Sequence, residues 1–311
     1  MRRFDSLAEI RETDFPRGSA VAIGKFDGVH LGHQAILARL LGIADGAELD
    51  SVVFTFSNNP LSLLRPELCP LPLMSREQRL AAIESSGVSA CVMVEFDAEL
   101  STMPAEEYVE RVLLDRLHAR HLIVGSDFRF GHRGAGDVAL LRRMGERLGF
   151  VTDVVGSVED PELGRISSTR VREAILAGDV SLAARMLGRP VAVRGEVVHG
   201  DARGRELGFP TANLGGGVEG LVPADGVYAG RVLLDGRSHD AAISIGTNPT
   251  FTEGGQSRVE AYLLDFSDDI YGARVEVRLL HRLRGMEKFT SVDDLVDQMR
   301  EDVSETRRLL G

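Results

Sequence analysis

At 311 residues the chain is long enough for two domains that each bury a core, and 43% hydrophobic with 27% charged residues is an ordinary globular balance. A formal charge of −11 disfavours nucleic acid as the principal partner while leaving small phosphorylated ligands open to local basic groups, and no segment approaches a continuous membrane span. The start Met1-Arg2-Arg3-Phe4 is basic with no apolar stretch behind it, so the expected compartment is the cytoplasm; Cys69 and Cys91 lack C-x-x-C spacing and read as packing residues.

In chain order, β-rich runs alternate with amphipathic stretches as far as residue 187. Strands are expected at 20–24, 51–56, 90–94, 122–125 and 151–155, with helices near 33–44, 76–85, 105–117 and 138–148. Ser75-Arg76-Glu77-Gln78 has capping-box spacing, and Leu80 and Ile83 follow on one face. This alternation predicts a parallel sheet with right-handed crossovers, whose ligands collect at the carboxyl ends of the strands. Gly24 and Gly125 end two of those strands, so the loops after them can meet at one site. Beyond Gly188-Arg189-Pro190 the texture changes to short alternating runs punctuated by glycine and proline. Strands at 191–198, 226–234, 241–246, 258–265 and 275–283 predict an antiparallel barrel or sandwich, closed by a helix at 292–310. The expected domains are 1–187 and 188–311, and Gly215-Gly216-Gly217 reads as a mobile loop.

Residues 24–33, Gly-Lys-Phe-Asp-Gly-Val-His-Leu-Gly-His, sit between the first expected strand and a helix. Gly24, Gly28 and Gly32 let backbone approach a ligand, a helix start near Gly32 points free N–H groups at an anion, and His30 and His33 can face one side as donors to phosphate. The plain alternative is a tight connection flanked by surface histidines; two imidazoles fixed among glycines favour the phosphate site. The segment is neither G-x-G-x-x-G nor a P-loop. It resembles the H-x-G-H signature of nucleotidyltransferases, and its full form is similar to that of prokaryotic bifunctional riboflavin kinase/FAD synthetases.

That resemblance implies a Rossmann-like α/β domain that adenylylates FMN. It places nucleotide or substrate contacts at Gly24, Phe26, Asp27 and Gly28, with His30 and His33 in the reaction itself. Gly125-Ser126-Asp127-Phe128-Arg129-Phe130-Gly131 matches the family's G-x-D-F-x-F-G, which puts Asp127 at the nucleotide, although alone it reads equally well as an Asx-turn or cap. Ile166-Ser167-Ser168-Thr169-Arg170-Val171-Arg172 resembles I-S-S-T-x-I-R; Ser167, Ser168 and Thr169 lie where a helix begins, and with Arg172 they suit a polyphosphate better than a plain cap requires. The family generally has histidine where Asn59 stands, and an amide carries no positive charge, so slower adenylyl transfer is the expectation here.

The second half carries residues 199–214, which resemble the riboflavin kinase signature with its P-T-A-N core. Gly200, Gly204 and Gly208 form a loop able to wrap phosphates, and Pro210 fixes the chain before Thr211. Thr211 and Asn213 are two apart, so an extended strand turns both to one side, where two oxygens can share one Mg²⁺. The family's catalytic base falls on Glu260, and Tyr262 stands where many relatives have histidine. Segments 268–272 and 282–289 also resemble the family's, without defining another site. The implied function is riboflavin plus ATP to FMN, then FMN plus ATP to FAD and pyrophosphate, with Mg²⁺ and ATP required and riboflavin, FMN and FAD as ligands. Two competing readings are an adenylyltransferase for another phosphorylated substrate, opposed by the kinase motif, and a nonenzymatic flavin-binding regulator, opposed by Glu260, Thr211 and Asn213. Sequence leaves the oligomeric state open.

Overall fold

A computed structural model describes residues 1–156, 158–200, 204, 207–247 and 257–311. The chain divides into two compact units, Met1–Ile166 and Ser167–Gly311.

In the first unit, β1 (Arg2–Phe4), β2 (Ser19–Ile23), β3 (Asp50–Phe56), β4 (Ala90–Val94), β5 (Ala119–Gly125) and β6 (Val151–Val155) form one sheet in the order β1-β4-β3-β2-β5-β6. Every neighbouring pair is parallel, as the alternation predicts. β1 is absent from the sequence-based expectation: three residues with only Phe4 buried give no periodic signal, and the strand exists because it pairs with β4. Helices α1 (Leu31–Gly46), α2 (Pro60–Leu64), α3 (Arg76–Glu84), α4 (Ala98–Thr102), α5 (Ala105–Glu107) and α6 (Val138–Leu148) connect the strands, and a small hairpin, β7 (Glu159–Asp160) with β8 (Gly164–Arg165), follows.

The Ser75/Gln78 capping box is formed in both directions. The helix expected over 105–117 departs from regularity. After α5 the turns widen to π form over Tyr108–Leu114, and the Asp115 N–H reaches the Glu110 carbonyl at 2.9 Å. Tyr108, Val109, Val112 and Leu113 are all buried there.

The sheet is covered on both faces. Phe15, Val21, Phe54, Val92 and Leu113 pack on one side, while Ala22, Phe26, Leu37, Leu40, Leu80 and Cys91 pack on the other. Burial pushes the Cys91 thiol up to about 12, consistent with an inert packing residue. From β2 the chain winds outward through β3 to β4, then crosses back to β5 and on to β6. The winding direction therefore reverses between β2 and β5, the point where an open α/β sheet forms a ligand crevice at its carboxyl edge.

The second unit begins with α7 (Ser168–Leu176) and α8 (Val180–Leu187), continues through β9 (Val191–Val198), β10 (Ala212–Glu219), β11 (Gly226–Leu234), β12 (Arg237–Thr247), β13 (Ser257–Leu263) and β14 (Arg274–Arg284), and ends in α9 (Val292–Leu310). The strands close an antiparallel barrel in the order β10-β13-β12-β11-β14-β9, which decides between barrel and sandwich. Gly215-Gly216-Gly217, read from sequence as a loop, lies instead inside β10 at a register shift against β9. A Cβ at Gly215 would stand 2.5 Å from Val198, so glycine is what lets β10 lie against β9 and close the barrel. α8 buries Val180, Ala183, Met186 and Leu187 and packs on β9 and β14. α9 is pinned by Arg284, whose guanidinium donates to both Asp302 oxygens at 2.9 and 2.7 Å. Among the described residues no helix is long and apolar enough to cross a membrane.

Candidate active sites

The turn after β2 is strained and buried. Phe26, Gly28 and Val29 have φ of 49, 86 and 40°, a region that a bulky or β-branched residue enters only under constraint. The constraint is visible: the Phe26 and Val29 side chains are 0% and 2% exposed in the core beneath the turn. Burial of two apolar groups thus holds a backbone that local propensity disfavours. His30 emerges as the N-cap of α1, its Nδ1 accepting the His33 N–H at 3.3 Å. A neutral ring that accepts at Nδ1 carries its proton on Nε2, a donor whose chemistry suits a phosphate oxygen. The two imidazoles stack with centroids 3.8 Å apart and planes 16° from parallel, and Phe26 closes on His33 at 5.1 Å. A Cβ at Gly32 would lie 3.0 Å from His30 Cε1, so this glycine makes room for the ring.

Asp27 Oδ1 accepts the Leu73 N–H at 2.9 Å, which ties the segment ahead of α3 to the turn. Gly24, Phe26, Asp27, Gly28, His30 and His33 are thus gathered at the carboxyl end of β2. The 125–131 loop leaves the adjacent strand β5, with exposed Asp127 in an ion pair to Arg165 at 3.7 Å and Phe128 stacked on Phe130. Asn59 acts locally, its side-chain oxygen capping α2 by accepting the Leu61 N–H at 3.1 Å. Sequence reasoning missed Arg79, a buried arginine on α3 whose guanidinium reaches the exits of β2 and β3.

At the start of the second unit Ser167 is the N-cap of α7, its hydroxyl accepting the Arg170 N–H at 3.4 Å, and Ser168, Thr169 and Arg172 fall in the helix's first turns. In the barrel, Asn213 on β10 stands directly opposite Glu260 on β13. Their neighbours Ala212, Leu214, Val259 and Ala261 are buried in the barrel, so the alternation turns Thr211, Asn213 and Glu260 together onto the other face. The Thr211 hydroxyl lies 3.4 Å from Glu260 Oε2, and Asn213 Nδ2 donates to the Thr211 carbonyl at 3.3 Å, which leaves Asn213 Oδ1 as an acceptor.

Gly200 closes against this group, since a Cβ there would stand 2.5 Å from the Asn213 amide. The Phe209 N–H bonds the Gly204 carbonyl at 2.7 Å and Gly208 takes a φ of 87°, which folds the end of the loop back before exposed Pro210. Residues 201–203, 205 and 206 of that motif lie outside the described residues. Tyr262 packs edge-on against Phe209 at 5.4 Å. Beside Thr211 opens a cavity of about 410 Å³ walled by Leu263, Phe266, Asp268, Ile270 and Tyr271, with His199 stacked on Tyr271 at 3.7 Å. The 268–271 segment had no site role in the sequence reading, because acidic pairs are ordinarily surface charge.

Among the described residues no group of three or more His, Cys, Asp or Glu side chains is placed to hold a metal ion. The Thr211 hydroxyl and the Asn213 amide oxygen, beside the Glu260 carboxylate, are nonetheless hard oxygen donors. They fit an ion such as Mg²⁺, which binds through few protein groups and completes its shell with phosphate and water.

The family model for FAD synthetase matches residues 12–170, and that for riboflavin kinase matches residues 187–310. A bifunctional riboflavin kinase/FMN adenylyltransferase of Pseudomonas fluorescens is 40% identical over 293 residues, covering 94% of this chain and 93% of its own. The chain belongs to the bifunctional riboflavin kinase/FMN adenylyltransferase family. The Escherichia coli K12 member is 36% identical over 296 residues, covering 94% of this chain and 93% of its own. A crystal structure of a macrolide-efflux protein from Streptococcus pneumoniae superposes with a TM-score of 0.88 at 35% identity and covers 98% of both chains, so the fold is shared over the whole length. Asn59 and Tyr262, expected from the sequence to depart from the family pattern, each have a local partner here: the first turn of α2 and the Phe209 ring.

Proposed function

We propose that this chain carries out both reactions of its family, phosphorylating riboflavin at the barrel and adenylylating FMN at the carboxyl edge of the sheet, with the activities divided at Gly188 into 1–187 and 188–311. The observation that carries the kinase assignment is the register that sets Glu260 across from Asn213 and within 3.4 Å of Thr211. An alcohol proton does not leave at neutral pH unaided, so Glu260 takes it from the ribityl hydroxyl as the γ-phosphoryl group arrives. The O–H bond breaks, an O–P bond forms, and the bond between the γ-phosphorus and the β–γ bridging oxygen breaks to release ADP. Thr211 and Asn213 are the residues that would hold Mg²⁺, which when bound supplies positive charge to the phosphate oxygens.

Adenylyl transfer needs no base, because the FMN phosphate is already ionised. Its oxygen bonds the α-phosphorus of ATP and pyrophosphate leaves. Catalysis then reduces to alignment and charge stabilisation, to which the Nε2–H of His30 and the His33 ring contribute. For Ser167, Ser168, Thr169 and Arg172 the assignment rests on their motif, a helix start with three hydroxyls and a cation, chemistry suited to a polyphosphate. Both reactions draw on ATP, which makes the cytoplasm part of the same proposal; riboflavin, FMN, FAD and ATP are the partners, with no role for nucleic acid or membrane. Incubation with riboflavin, ATP and Mg²⁺, followed by chromatography of the flavins, tests it. FMN appearing first and FAD after it supports the reading, arrest at FMN refutes the adenylyl half, and riboflavin bound but unchanged makes the protein a flavin binder.

A further inference from the structure

Arg79 is 9% exposed, a charged side chain almost wholly removed from water one turn beyond the Ser75 cap of α3. Its Nη1 donates to the Lys25 carbonyl at 3.1 Å, and its Nη2 to the carbonyls of Phe56 at 2.7 Å and Ser57 at 3.0 Å. Met93 Sδ on β4 lies 3.6 Å from the same nitrogen. Lys25 follows β2, Phe56 ends β3 and Ser57 follows it. One rigid guanidinium plane therefore joins the exit of β2, which borders the crevice, to that of its neighbour β3, before the chain turns toward His30 on one side and Asn59 on the other.

The Lys25 carbonyl is held twice, since the Thr55 hydroxyl also donates to it at 3.1 Å. The next residue, Phe26, begins the strained backbone at φ 49°. The orientation of the Lys25–Phe26 peptide is thus fixed at the point from which the whole His30/His33 turn departs. Burial pulls the Arg79 pKa down, and the Asp27 carboxylate from the same turn pulls it back up. Asp27 in turn receives the Leu73 N–H, so the arginine, the turn and the approach to α3 form one network. The Nε of Arg79 is buried with no partner among the described residues, a cost that a position serving packing alone would avoid by using an apolar side chain.

We propose that Arg79 is a positioning residue for adenylyl transfer: by clamping the carbonyls at the exits of β2 and β3, it sets the height and tilt of the turn that presents His30 and His33. The proposal rests on the assignment of that reaction to residues 24–33. Displacement of a catalytic group by about 1 Å lowers rate on the order of 10²-fold, which sets the scale expected here.

The test uses the full-length protein in three variants. Arg79→Met keeps length and apolar volume and removes every donor, Arg79→Lys keeps the charge with a smaller donor head, and His33→Ala reports on the site itself. Each is assayed for kcat and for the ATP KM of FAD formation from supplied FMN, for riboflavin phosphorylation in the same sample, and for folded fraction by circular dichroism. The expected result for Arg79→Met is kinase turnover within about twofold of the parent, FAD formation reduced about 100-fold per folded molecule, and roughly tenfold of that loss recovered by Arg79→Lys. A folded Arg79→Met with parental kcat and KM overturns the proposal. So does a loss that tracks the unfolded fraction alone, with the ATP KM unmoved and no recovery by lysine. If Arg79→Met does not fold, Arg79→Lys decides: reduced kcat/KM at full folded fraction supports the clamp, and parental kcat/KM overturns it. A His33→Ala protein that makes FAD at the parental rate sinks the assignment of the site, and Arg79 falls with it.

Discussion

Replacement of Glu260 by glutamine isolates the proton-transfer role of the kinase site. The substitution keeps side-chain length and one oxygen to face the Thr211 hydroxyl, which lies 3.4 Å from Oε2 in the parent. That contact is long and the position is only half-buried between β10 and β12, so the loss of stability should stay within about 1 kcal/mol. The chemical consequence is far larger, because an amide accepts no proton at neutral pH. General-base catalysis contributes about 10²–10⁴-fold. At about 1.36 kcal/mol per decade that corresponds to roughly 2.7–5.4 kcal/mol of activation free energy. The two effects therefore separate by magnitude. The assay follows FMN formation from riboflavin at saturating substrates, FAD formation from supplied FMN in the same preparation, and the thermal transition. FMN formation should fall by at least about 100-fold while the other two readings stay near the parent. Parental kinase turnover in a folded Glu260→Gln protein would refute the assignment of the base.

Further outcomes follow from packing and charge. A fragment Ser167–Gly311 should fold cooperatively and make FMN but not FAD, whereas one starting at 188 uncovers the barrel surface beneath Val180, Met186 and Leu187, at about 1.5–3 kcal/mol per large side chain, and should melt at a lower temperature; equal melting would mean that α8 adds nothing. Asn59→His exchanges the α2 cap, worth about 1 kcal/mol, for an imidazole, so tighter ATP binding is expected near pH 6 and should fade above about pH 6.5; no change at either pH assigns Asn59 to the cap alone. Burial works against the Glu276 carboxylate, but hydrogen bonds from Arg278 and Arg194, both at 2.7 Å, prevail and hold it below the usual carboxylate range. Its stabilisation is therefore present above the unfolded pKa of about 4.3 and is lost as pH falls through the folded value. Glu276→Gln should flatten that acid limb in unfolding scans of Ser167–Gly311, and an unchanged limb would contradict the assignment.

The legible parts of the fold were those governed by one local rule. α3 showed its cap in Ser75 and Gln78, and β4, β6, β9, β11 and the terminal helix began and ended at their expected residues, because apolar periodicity and glycine punctuation set their limits. The features that escaped depend on partners distant in sequence. β1 is three residues made into a strand by β4, and the glycine run in β10 looks like a loop until the proximity of Val198 explains it. The π turns at Tyr108–Leu114 keep an apolar spacing that also fits an α-helix, so the sequence does not tell the two apart. At the sites, His30, His33, Thr211 and Asn213 were marked by motif spacing and Glu260 by the family resemblance, and the structure supplies the stack and the cross-strand register. Arg79 carried no such mark. A lone arginine on an amphipathic helix reads as surface charge until the carbonyls it bonds are brought to it by two strand exits far along the chain.

The two reactions assigned to this one chain each leave a different phosphate product. The direct measurement is phosphorus NMR of a reaction started with riboflavin, ATP and Mg²⁺, read alongside flavin chromatography until riboflavin is consumed. Each FAD formed should be accompanied by one ADP from the kinase step and one pyrophosphate from adenylyl transfer, with FMN rising before FAD. A folded, ATP-binding protein that releases ADP without forming FMN, or that forms FMN and never yields pyrophosphate, would contradict that assignment.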